Sequence, residues 1–254
     1  MLFTELNFWI FFAVVSVLYV LLPHKAQNRM MLVASYVFYG AWDWRCLGLI
    51  LLSTVADYFV GFAMARENVQ ARRKRLLWIS LAVNLGMLGI FKYLGFFADS
   101  FTDLMGLFGY TPDPITLAIV LPVGISFYTF QTLSYTIDIY RRNLEPTRDF
   151  FDFALFVAFF PQLVAGPIER ASNLLPNISA PRTLSWEALG RGGVLCLTGL
   201  IKKIVIADGV APSVNAIYAS PDPSGLDIIF ATWLFAIQIY CDFSGYTDIA
   251  RGVA

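Results

Sequence analysis

Leu226-Asp-Ile-Ile-Phe-Ala-Thr-Trp-Leu-Phe-Ala-Ile-Gln-Ile-Tyr240 is an apolar run that passes without a break into Cys241-Asp-Phe-Ser-Gly-Tyr-Thr-Asp-Ile-Ala-Arg-Gly252. Nothing in either stretch stops a helix: there is no proline, and Gly245 and Gly252 are isolated. At 1.5 Å per residue the apolar part covers most of a bilayer's hydrocarbon thickness. The polar residues that follow, Asp242, Ser244, Asp248 and Arg251, are costly beside lipid, so a membrane protein keeps them only where they are used. Ser244 and Asp248 stand four apart and share a helix face, while Gly245 lets a neighbouring helix approach. This stretch decides the fold class: an all-α, polytopic transmembrane helix bundle.

Composition agrees. Hydrophobic residues make up 58% of the chain and charged residues 14%, and the mean hydropathy is +0.65. Water-soluble domains sit near half apolar and a quarter charged. Formal charge is zero, and no basic face with interleaved aromatics suggests nucleic acid. Further spans are read at Asn7–Leu22, Met30–Trp42 (short, as for a tilted or partial span), Leu47–Ala65, Leu76–Phe97, Ile115–Tyr140 and Trp186–Ala207. The N-terminal run lacks the basic start and small-residue cleavage site of a removable signal, so it reads as a retained first span. Cys46, Cys196 and Cys241 lie far apart in apolar sequence, which predicts buried thiols rather than a disulfide or a metal site.

Ten basic residues, Lys25, Arg29, Arg66, Arg72, Arg73, Lys74, Arg75, Arg141, Arg142 and Arg148, fall on one set of alternate loops. The opposite loops carry Arg45 alone. By the positive-inside bias the rich loops are cytoplasmic and the N-terminus faces outward. No repeat or soluble linker interrupts residues 1–254, which read as one membrane domain, cut short at its C-terminus.

Several polar features lie inside the apolar segments. Asp57 and Asn84 each sit ~12 Å from the basic end of their spans at helical rise, which predicts a hydrogen-bonded pair on consecutive helices. Pro122 starts or kinks the fifth span, and Gln131 and Asp138 beyond it read either as packing groups or as cavity residues. In Phe159-Phe-Pro-Gln-Leu-Val-Ala-Gly-Pro-Ile-Glu-Arg170, Pro161, Gly166 and Pro167 forbid a regular helix. The freed backbone points to a re-entrant element lining a chamber, with Gln162 in it and Glu169 and Arg170 at its mouth. Lys202 and Lys203 point ~100° apart on a helix, marking either a helix end at the interface or a basic lining for an anionic ligand.

Phe160 to Arg170, Ile201-Lys-Lys-Ile-Val-Ile-Ala-Asp208 and Gln238 to Gly252 resemble the membrane-bound O-acyltransferases, in particular the bacterial alginate O-acetyltransferase branch. Ser35-Tyr-Val-Phe-Tyr-Gly-Ala-Trp42 and Leu121-Pro-Val-Gly-Ile-Ser-Phe-Tyr128 fit the same branch, in the same order. The resemblance implies an enzyme of the cytoplasmic (inner) membrane that moves an acetyl group from a cytoplasmic donor, such as acetyl-CoA, to an exported, alginate-like polysaccharide. It also implies cooperation with periplasmic acetyltransferase proteins, and no bound cofactor or metal. Family members place their signature histidines after the Asp-Phe-Ser-Gly-Tyr motif, so the catalytic histidine is expected beyond Ala254. The single histidine, His24, reads as an interfacial residue. A transporter or flippase, or a non-catalytic component of a polysaccharide-modifying assembly, is the alternative reading.

Overall fold

The computed structural model describes residues 2–108, 122, 124–163, 166 and 169–254. It is helical throughout, with no strand among those residues. The helices are α1 (Leu6–Leu21), α2 (His24–Asp43), α3 (Leu47–Arg66), α4 (Gln70–Leu88), α5 (Leu94–Leu107), α6 (Ile125–Tyr140), α7 (Phe150–Ala158), α8 (Phe160–Leu163), α9 (Ala171–Ser179), α10 (Trp186–Leu200), α11 (Asp208–Tyr218) and α12 (Gly225–Val253). Two π-helical turns, Gly89–Tyr93 and Ile201–Ala207, join α4 to α5 and α10 to α11. Three continuous helical segments, His24–Arg66, Gln70–Leu107 and Gly225–Val253, are long and apolar enough to cross a membrane.

The short second span of the sequence reading becomes a full 20-residue helix, because the polar residues from His24 onward are helical too. A single 3-10 turn, Trp44–Cys46, then redirects the chain, with the Asp43 carboxylate accepting from the Arg45 N–H at 2.9 Å. The start expected at Pro122 is met one turn later. Gly124 takes a left-handed conformation (φ 76°) and α6 begins at Ile125; the earlier part of that span, from Ile115, lies outside the described residues.

The chain divides into two compact units. The first contains residues 1–24, 160–167 and 182–254. Here α12 packs against α10, α11 and the second π-helical turn, and α8 also packs on α12. Phe3, Phe8 and Phe160 are almost wholly buried, with Phe11 edge-on to Phe160 at 5.4 Å between centroids. Ser224 and Asp227 form a reciprocal capping box at the start of α12, satisfying two otherwise orphaned N–H groups.

The second unit contains residues 25–159 and 168–181. Its centre is the packing of α3, α4 and α6, with α7 and α9 alongside. Tyr128, Tyr135, Phe153 and Phe156 fill its interior. The interior is also polar: Ser53, Asp57, Ser80, Asn84, Thr132 and Thr136 are all fully buried. Outside, Phe59, Trp78 and Phe96 are more than 60% exposed. Large apolar groups outward and hydrogen-bonded polar groups inward is the arrangement that hydrocarbon, not water, favours. The protein is an all-α membrane helix bundle.

Arg73 shows how the second unit closes. Its guanidinium is buried and donates to the carbonyls of Met64, Ile139 (2.8 Å) and Tyr140 (3.1 Å). Those carbonyls belong to the last turns of α3 and α6, where the regular i+4 N–H donors run out; Met64 and Ile139 also accept the Glu67 (3.4 Å) and Arg142 (3.0 Å) N–H groups that end the helices. One side chain from the first turn of α4 therefore ties three helices together at one end.

Candidate functional site

The Asp57–Asn84 pair expected from matched depth is present. Asn84 Nδ2 donates to Asp57 Oδ2 at 2.7 Å, and Ser80 Oγ donates to Asp57 Oδ1 at 2.5 Å. The amide oxygen of Asn84 accepts from Ser53 Oγ (2.7 Å) and Thr132 Oγ1 (3.1 Å). Ser80 Oγ also lies 3.1 Å from Thr136 Oγ1. Every polar group in this set has a partner, so the network holds three helices rather than waiting for a ligand.

Gln131 belongs to the same unit. It is buried and donates to the Phe156 carbonyl at 2.5 Å, close to the end of α7. The Phe159–Arg170 element breaks at its first residue, ahead of its prolines. Phe159 is already non-helical (φ −55°, ψ 106°), and α8 is a single buried turn that contains Pro161 and Gln162. Gly166 folds back so that its N–H reaches the Gln162 carbonyl at 3.2 Å, and a Cβ there would sit 2.7 Å from Gln162 Cα. Pro167 lies outside the described residues. Glu169 is half-buried, and the exposed Arg170 leads into α9; both fall in the second unit, whereas Pro161, Gln162 and Gly166 fall in the first.

The remaining candidates converge within the first unit. Lys202 Nζ donates to Ser244 Oγ at 2.9 Å and to Asp248 Oδ2 at 2.6 Å. Lys203 Nζ lies 2.7 Å from Asp208 Oδ1 and 2.6 Å from Asp242 Oδ1. It also sits 5.5 Å from the Tyr246 ring centroid. Ser244 and Asp248 meet one lysine because they share a face of α12. The two lysines find separate partners because successive residues diverge around the helix.

Two features of the sequence fix this cluster. One is the π-helical turn Ile201–Ala207. In an α-helix Lys203 and Asp208 would be about 140° apart; the wider turn aligns residues five apart. The Asp208 N–H bonds to the Lys203 carbonyl while the Asp208 carboxylate takes the Lys203 ammonium. Turns of this type recur at functional sites. The other is glycine. A Cβ on Gly199 would lie 2.5 Å from the Gly245 carbonyl oxygen, and one on Gly192 would lie 2.6 Å from that of Gly252. The pairing of Gly192 with Gly252 and of Gly199 with Gly245 makes α10 and α12 antiparallel, in backbone contact at two points seven residues apart. Close approach of this kind needs small residues at the interface.

The lysines thus stand neither at a helix end nor without counter-charges. They lie midway through a continuous helical segment, each on a carboxylate partner. Two ammonium groups face three carboxylates, with Asp208 and Asp242 each about half exposed. Their charges hold α12 to the π-helical turn.

The sequence that carries this cluster matches known proteins along nearly its whole length. It is 40% identical over 237 residues, 93% of this chain and 47% of the relative, to a protein of Azotobacter vinelandii named probable alginate O-acetylase AlgI. It is 38% identical over 246 residues, 96% of this chain and 47% of the relative, to the Pseudomonas aeruginosa protein of the same name. It is 32% identical over 270 aligned residues, 92% of this chain and 50% of the relative, to the peptidoglycan O-acetyltransferase of Helicobacter pylori. The chain is a homologue of the membrane-bound O-acyltransferases. No family model matches it. The chain spans about half the length of the curated relatives it matches.

Against that background the cluster lies on two of the motifs that carry the resemblance, Ile201–Asp208 and Gln238–Gly252. Sequence reasoning named Lys202, Lys203, Asp242, Ser244 and Asp248 but passed over Asp208, Tyr246 and the glycine pairs. The seven-residue glycine spacing in both helices was the available signal. The three cysteines are free and buried, as expected. Among the described residues no group of His, Cys, Asp and Glu could hold a metal. His24 opens α2 and is half-buried, far in sequence from the cluster.

Proposed function

We propose that this chain is part of a membrane O-acyltransferase that transfers an acetyl group to an exported polysaccharide. The single observation that carries the reading is identity of 32% to 40%, over nine-tenths of the chain, to proteins named O-acetylases or O-acetyltransferases. Alginate and peptidoglycan stand in those names; both are polymers with acetylatable hydroxyls outside the cytoplasmic membrane. We assign residues 1–254 to one membrane domain of the inner membrane, with the N-terminus outward and the ten-residue basic set toward the cytoplasm. Acetyl-CoA is the donor class that suits a cytoplasmic entry, and periplasmic acetyltransferase proteins suit the product side.

Acetyl transfer to a hydroxyl needs a general base near neutral pKa and dipoles at the developing oxyanion. No residue described here is assigned as that base, and the family's histidine is sought in the region matching the rest of the relatives' length. The part given to this region is positional. The Lys202 and Lys203 ion pairs and the glycine contacts fix α12, and the broken Phe160–Gly166 element shapes the path of the acyl group beside it.

The test is genetic and chemical. Deleting the whole gene should leave the polymer exported but strip its O-acetyl groups, read by proton NMR of the purified polysaccharide, and the full-length gene should restore them. Unchanged acetylation would sink the reading. Loss of export itself would favour a transporter.

A further inference from the structure

The basic residues at one end of the second unit form a surface that the acyl-transfer reading does not use. The Arg73 clamp brings the last turns of α3 and α6 to the first turn of α4, and Gln70 Nε2 adds a 2.9 Å bond to Tyr140 Oη at the same end. Arg66, Arg72, Lys74, Arg75, Arg141 and Arg142 therefore surround one buried arginine, and all six are exposed. Across residues 66–75 and 138–149 the chain has eight cations against four carboxylates. The nearest of those carboxylates, Glu67, is engaged by the Val69 N–H at 2.9 Å and by Arg72 at 3.4 Å.

Depth decides which anion these cations meet. Trp78, 61% exposed, follows Arg75 by three residues, about 4.5 Å along α4. Phe59, 63% exposed, precedes Arg66 by about 10 Å along α3. The Arg66 guanidinium lies over the Phe62 ring at 4.2 Å, flat against the apolar surface rather than extended away from it. Cations one or two turns from lipid-facing side chains stand at headgroup level, where the abundant anion is the phosphate of a lipid.

We propose that this end of the second unit binds the headgroup phosphates of anionic phospholipids. The buried Arg73 sets the spacing of the surrounding cations, and the exposed ones make the contacts. The full-length protein, reconstituted in nanodiscs of mixed phosphatidylglycerol and phosphatidylcholine, retains phosphatidylglycerol preferentially when released for native mass spectrometry. Two variants, Arg72→Gln with Lys74→Gln and Arg141→Gln with Arg142→Gln, each leave Arg73 in place. Each lowers that preference by roughly thirty-fold, as two lost headgroup contacts require, while thermal unfolding and the side of the membrane reached by a terminal tag stay as in the parent. Equal retention of both lipids by the parent protein would overturn the proposal. So would a preference unchanged in both variants, or one abolished by excess inorganic phosphate, which would mark a site for soluble phosphate instead.

Discussion

Gly199→Leu is expected to unseat α12 from α10 and to lower the thermal midpoint of the detergent-solubilised protein sharply. A Cβ at position 199 would stand 2.5 Å from the Gly245 carbonyl oxygen and 2.9 Å from the Ile249 N–H nitrogen. Both are backbone atoms inside a continuous helix, so neither can swing aside as a flexible side chain would. Overpacking typically costs about 1–3 kcal/mol, and a clash with two backbone atoms belongs at the top of that range or above it. Gly193 supplies the control, because nothing lies within 4 Å of a Cβ built there. Gly193→Leu on the same helix should leave the midpoint unchanged or slightly raised, since leucine is the better helix former. Equal effects at 193 and 199 would show that helix propensity, not backbone contact, governs this face.

Asp57→Ala is expected to cost about 3 kcal/mol, whereas Asp57→Asn should cost far less. Alanine leaves one N–H of the Asn84 amide without an acceptor in a fully buried site, the other still donating to the Ser80 carbonyl at 3.0 Å. Ser80 can turn to Thr136 Oγ1 at 3.1 Å, so most of the loss falls on Asn84. Asparagine keeps the shape, can still accept through its oxygen and can donate to Ser80, which then donates onward to Thr136. Resistance to unfolding in mixed micelles separates the two variants. If they prove equally stable, the α3–α4–α6 interior is not held by this network.

What the sequence discloses here depends on whether a property is local. The Asp57–Asn84 pair was legible because depth follows from helical rise counted from a basic loop. Burial of the cysteines followed from their apolar neighbours, and the length of α12 from the absence of a breaker. Asp208 was not legible as a partner of Lys203, because α-helical geometry turns residues five apart away from each other and only the π-helical turn aligns them. The seven-residue spacing of Gly192 with Gly199 and of Gly245 with Gly252 is visible in the sequence, but nothing in it says that these two helices face each other. Arg73 looked like one more surface cation among Arg72, Lys74 and Arg75. Its burial depends on three carbonyls contributed by α3 and α6, one of them close in sequence and two far away. The chain also breaks at Phe159, before the prolines, which puts Pro161 in the first turn of α8, where its missing N–H leaves no helical carbonyl unpaired.

The Lys202–Asp248 pair is expected to buttress α12 in the proposed O-acetyltransferase without taking part in the chemistry. Removing one member of a partly buried ion pair strands the other, whereas replacing both by apolar residues of similar size is often neutral. The direct test is the O-acetyl content of the exported polysaccharide made by the full-length protein carrying Lys202→Met alone, or Lys202→Met together with Asp248→Leu. The single variant should lose roughly tenfold or more of the acetylation, and the double variant should recover most of it. A double variant as inactive as the single one, or a single variant as active as the parent, would contradict the account.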